Sequence, residues 1–125
     1  MQKQALADLI EFLEDKAARV RLLESEGEAV LASQGQRAFQ VKAEAKAELL
    51  AALAENAWKH TGKLEGDEGT AVARRLEQFS TSASTALRIG SVFFMTALLY
   101  PEDHKPGEPN DLETFIGELR AMQGE

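Results

Sequence analysis

The chain has 125 residues, no cysteine and a net charge of −7, with 44% hydrophobic and 28% charged residues. That length suits one domain, residues 1–125, with a core of its own, and the lack of cysteine excludes disulfides, thiol catalysis and thiolate metal sites. The acidic balance argues against holding nucleic acid or anionic lipid through bulk charge, so neither a nucleic acid nor a membrane is expected as partner.

The first segment, residues 3–33, has helical periodicity. Leu6, Ile10, Leu13, Ala17 and Val20 form one row, and Leu9, Leu13, Lys16, Val20, Leu23, Gly27 and Val30 a second beside it. Two adjacent rows make a stripe wide enough to pack against more than one neighbour. The opening "MQKQALADLIEFLEDK" is amphipathic and acidic, without the continuous apolar run of a secretory signal, which sets the expectation of a cytoplasmic protein. Gly35 in "SQGQ" is placed to end the helix.

The second segment, residues 36–59, puts Phe39, Ala43, Leu50, Leu53 and Ala57 on one face, with Lys46 interrupting it. The run "AELLAALAENAW" has high helix propensity, and the short connection makes the first two helices antiparallel neighbours. Trp58 is expected to pack at the mouth of the bundle. "HTGKLEGDEG" is a loop, with Thr70 as the expected N-cap of the next helix.

That third helix is expected to run unbroken over residues 70–100. Val72, Leu76, Phe79, Ala83, Ala86, Gly90, Phe93 and Ala97 keep the period through a middle, "STSAST", made of weak helix formers. Small residues there suit close helix contact, with the hydroxyls bonding back to the preceding turn. "YPEDHKPGEPND" cannot be helix because of its three prolines. Asn110 followed by Glu113 resembles a capping box for a last helix over residues 111–122, whose apolar face is Leu112, Phe115, Ile116 and Leu119. No strand pattern competes. The expected fold is all-α: an antiparallel bundle of three long helices plus a short C-terminal helix.

Chemistry is sparse. Glu24 and Glu28 stand one turn apart and, with His60, would suit a divalent ion, but a solvated acidic face is the simpler reading of such a charge run. The Glu-x-x-His pairs of a di-iron bundle are missing. "HTGKLEG" lacks the upstream Gly and following Ser or Thr of a phosphate loop, and "EGDEG" has too few oxygen ligands for a calcium loop. No catalytic residue, cofactor site or metal site is assigned, and a non-enzymatic role is expected.

"SVFFMTALLY", residues 91–100, is the one surplus of apolar surface. It is too short for the roughly 20 residues of a membrane span, and Arg88, Glu102 and Asp103 flank it closely. It is either core or a surface shared with a protein partner. The partner-binding set is then Phe93, Phe94, Leu98 and Leu99, joined by Phe115 and Ile116 if the last helix moves aside. The occupant is an amphipathic client helix or a second copy in a homodimer.

The stretch "LADLIEFLEDKAARVRLLESEGEAVLASQGQRAFQVKAEAKAELLAAL" resembles the N-terminal half of FlgN-type flagellar export chaperones. The shared features are a long helix of Leu and Glu, a small-residue break over residues 28–34, and a second helix with Lys46 followed by Leu49, Leu50 and Leu53. The resemblance implies a cytoplasmic chaperone. Its client would be the amphipathic C-terminal segment of a secreted hook–filament junction subunit, docked helix-in-groove.

Overall fold

The two-row stripe of the first segment becomes α1 (Gln2–Gln34), a helix about 50 Å long in a computed structural model that describes residues 2–124. Ala5, Leu6, Leu9, Ile10, Leu13, Ala17, Val20, Leu23 and Gly27 are buried along it. The rest is helical too: α2 (Gln36–Ala51), α3 (Leu53–Thr61), α4 (Gly66–Ile89), α5 (Val92–Ala97) and α6 (Asp111–Gly124). The wide stripe lets α1 pack on three partners, α2, α3 and α6, while α4 packs on α2 and α3, and α5 on α2 and α4. The all-α bundle stands, with two of the long helices divided.

The first division falls at Ala52. Ser80 of α4 inserts its hydroxyl into the neighbouring helix, accepting from the Ala54 N–H at 3.0 Å and donating to the Leu50 carbonyl at 2.9 Å. The Ala54-to-Leu50 rung of the helical ladder is thereby routed through a foreign side chain, which is a recognised cause of a kink. The expectation for the "STSAST" run is corrected at this residue: Ser80 bonds across to another helix, not back along its own. The small residues do serve close contact, since Ala83 and Ala86 are buried. Ala86 packs in a cluster with Ala43 and Ala47 of α2.

The second division overturns the unbroken helix over residues 70–100. Gly90 adopts φ 74° and ψ 25° and ends α4, its N–H reaching the carbonyls of Ala86 and Leu87. A side chain at that left-handed conformation costs about 1 kcal/mol, so glycine is the residue that stops a helix here. The period counted through Gly90 is lost beyond it. Met95 and Leu99 turn inward, and Phe93 and Ala97 do not.

The ends hold smaller surprises. α4 starts a turn before Thr70, after an extended Glu65. Gly69 lies so near the Leu64 carbonyl that an added Cβ would sit 2.8 Å from its oxygen, so the turn closes only on glycine. Trp58 is 68% exposed rather than packed. It follows the buried Ala57 by one residue, about 100° around the helix from the core-facing side. The Asn110–Glu113 capping box forms reciprocally, the Glu113 N–H donating to Asn110 Oδ1 at 2.9 Å and the Asn110 N–H to Glu113 Oε1 at 2.8 Å.

The main core gathers Leu9, Leu13 and Val20 with Leu50, Leu53, Leu76, Leu112 and Leu119. Phe115 meets Phe79 edge-on at 5.9 Å, with Arg75 over both rings. No helix among the described residues is long and apolar enough to cross a membrane.

Candidate functional site

The Gly90 stop creates a short, capped helix with aromatic residues on its outer side. Ser91 caps α5, its hydroxyl accepting from the Phe94 N–H at 3.1 Å, and the Thr96 hydroxyl donates to the Phe93 carbonyl at 2.8 Å. Met95, 1% exposed, anchors the helix among Ala43, Ala47 and Ala86. With Met95 pointing in, its two predecessors point out. Phe93 is 74% and Phe94 48% exposed, with ring centroids 5.8 Å apart. Ile89, the last residue of α4, is also exposed.

The six residues singled out for partner binding therefore separate. Phe93 and Phe94 are presented to solvent, and Leu98 is half-buried between the two core clusters. Leu99, Phe115 and Ile116 lie inside the main core, beneath or within α6.

Behind α5 lies a polar cluster that the sequence showed only in fragments. Lys46 is buried, its ammonium paired with Glu24 Oε2 at 3.0 Å, donating to the Thr96 carbonyl at 3.1 Å and lying 5.0 Å from the centre of the Tyr100 ring. The Tyr100 hydroxyl donates to Glu24 Oε1 at 2.7 Å and accepts from Arg21 Nη1 at 3.1 Å. Arg21 then grips Glu113 with two bonds, Nε to Oε2 at 3.0 Å and Nη2 to Oε1 at 2.6 Å. Burial pulls the Lys46 ammonium below the ordinary lysine value, with Glu24 opposing. Burial, then the bond to Glu24, pushes Tyr100 up to about 12.

These groups line part of a cleft of about 440 Å³ between α1 and α2, with Phe39 and Lys42 on its wall. The three cations of the cleft are each engaged: Lys46 with Glu24, Arg21 with Glu113, and Lys42 with Glu26 at 3.0 Å. Glu24 commits one oxygen to Tyr100 and the other to Lys46, so it is not paired with Glu28. Among the described residues, no three His, Asp or Glu side chains gather as metal ligands would. The cluster ties α1, α2, the end of α5 and the start of α6 together. The one signal for it in the sequence was Lys46 itself, a charge on the apolar face of an Ala/Leu helix, which demands a buried partner.

The Arg21 fork holds the Glu113 carboxyl below the usual range, against the opposing effect of burial. A carboxyl whose folded value is depressed contributes stability above its unfolded value of about 4.3, and the contribution fades as pH falls through the folded value. Arg21 is 44% exposed, so solvent screening holds the effect to about 1 kcal/mol. Glu113→Gln, which keeps the capping geometry, is expected to flatten the loss of stability on acidification below about pH 5. Urea midpoints measured across that range for both proteins check it.

No protein-family model matches the chain, and no curated protein or solved structure is found to be similar to it.

Proposed function

We propose that the chain is a non-enzymatic helical interaction protein, and that α5 is its docking element for an amphipathic helix of a protein partner. The observation that carries this reading is the pair Phe93 and Phe94, exposed side by side on a helix capped by Ser91, tied at the Thr96 carbonyl to Lys46 and anchored by Met95. Exposed aromatics held rigid in advance are the kind of residue that dominates binding energy, because little entropy is lost on docking. The resemblance of the N-terminal half to FlgN-type export chaperones supplies a concrete client: the amphipathic C-terminal segment of a hook–filament junction subunit, bound in the cytoplasm.

A second reading is favoured by one feature. Residues 89–101 contain no charged side chain in a chain of net charge −7. A two-fold contact through α5 would therefore bring no like charges of this segment together, and a homodimer is the alternative occupant.

Phe94→Asp separates the readings. Phe94 is half-exposed, so the variant is expected to stay folded, within about 0.5 kcal/mol of the parent. Calorimetric titration with the junction-subunit peptide should show binding to the parent and none to the variant. If light scattering shows a dimer that Phe94→Asp converts to folded monomers, α5 is a homodimer seam. A monomer that binds no such peptide sinks both readings.

A further inference from the structure

Two local costs meet at one joint. Leu99, at φ 76°, is the only non-glycine residue with a positive φ among the described residues. Asn110 Nδ2 is the only buried side-chain nitrogen or oxygen among them with no hydrogen-bond partner within 3.5 Å; the Tyr100 hydroxyl is its polar neighbour. The Asp111 N–H, donating to the Leu99 carbonyl at 2.9 Å, closes the joint between the two. Backbone strain of this kind persists only where surrounding structure enforces it, and it gathers at switch regions. A buried donor left unpaired in a native fold likewise asks for a reason. A movement of residues 98–110 that carried α6 away would relieve both costs.

The placement of α6 suits such a movement. Among the described residues its backbone packs against α1, and Phe115 also reaches Phe79 and Arg75 of α4. The run that carries it, residues 98–110, has no regular structure and contains Pro101, Pro106 and Pro109. Its contacts read as a short recognition pattern. Leu112, Phe115, Ile116 and Leu119 enter the core, Glu113 meets Arg21 at the front, and Arg120 meets Glu14 at the rear.

We propose that α6 is a displaceable occupant of a helix-binding groove formed by α1 with Phe79 and Arg75 of α4, which takes instead a partner's amphipathic helix of the same pattern. That pattern has apolar residues at i, i+3, i+4 and i+7, a carboxylate at i+1 facing Arg21, and a cation at i+8 facing Glu14. The groove is distinct from the exposed face of α5 and stands or falls separately.

The test uses the full chain and a fluorescein-labelled peptide of residues 109–124 as the probe helix. Anisotropy should show saturable binding to the parent protein. Glu113→Ala, made in the protein and not in the peptide, loosens the resident helix and should tighten peptide binding about tenfold. Phe93→Ser should leave the peptide's affinity unchanged. Native-state hydrogen exchange of the parent should show α6 amides exchanging about 100-fold faster than those of α1 between Leu9 and Val20. That measurement decides the matter alone if Glu113→Ala fails to fold. Exchange of α6 and α1 in one common step overturns the proposal. So does absence of saturable binding, equal affinity for the parent and Glu113→Ala, or loss of binding in Phe93→Ser.

Discussion

Glu24→Ala is expected to destabilise the protein by about 3 kcal/mol, lowering the melting midpoint by roughly 10 °C, and Lys46→Met in the same chain is expected to restore most of that loss. The Lys46 side chain is 4% exposed and that of Glu24 21%. Removing the carboxylate leaves an ammonium in the interior with only the Thr96 carbonyl and the face of Tyr100 for company. An orphaned buried charge is far costlier than a buried pair is valuable, because desolvation of the charge is no longer offset. Methionine fills the space of the lysine stem and has no charge to solvate. Urea unfolding of the two variants and the parent measures the cycle. Equal losses in Glu24→Ala and the double variant would assign the effect to packing and sink the electrostatic account. The pH dependence has a definite sign as well. The folded Lys46 value lies below that of the unfolded chain, so the native state releases its proton first and stability from this group rises with pH across that window. The Glu24→Ala deficit should therefore shrink in alkaline solution.

The helical periods were legible because burial is set by local geometry: each buried residue of α1 except Ala5 lies in one of the two rows counted along the chain. What escaped was long-range or conformational. The kink at Ala52 depends on Ser80, 26 positions from the Ala54 amide it satisfies, and no local pattern announces such an insertion. The stop at Gly90 was open to reading, since glycine is the usual left-handed terminator. The apolar period continues on paper through Phe93 and Ala97, and it carried the expectation past the break. Phe93 and Phe94 were recognised as surplus apolar surface, yet their exposure follows from the phase reset at Gly90, which also sent Met95 inward. The polar cluster joins Arg21 to Tyr100 and Glu113 across 79 and 92 positions. Glu24 stood out only as half of a carboxylate pair and Glu113 only as a cap; Lys46 alone pointed to a buried partner.

Leu13→Ala should cost about 3–5 kcal/mol, whereas Leu22→Ala on the same helix should change stability by less than about 0.5 kcal/mol. The chemistry of the two substitutions is identical and the helix propensities match, so the difference isolates burial. Leu13 is 0% exposed in the main core, and Leu22 is 46% exposed. α1 is the wall against which α2, α3 and α6 all pack. A hole opened at its centre is lined by side chains from separate elements, which cannot all close on it at once, and the cavity adds to the lost transfer free energy. Leu22 leaves no hole, because water already reaches it. Denaturant midpoints with unchanged slopes would express both results as stability. A Leu13→Ala cost below about 1 kcal/mol would mean that α1 is not the shared wall of the bundle, and the positions of α3 and α6 against it would have to be redrawn.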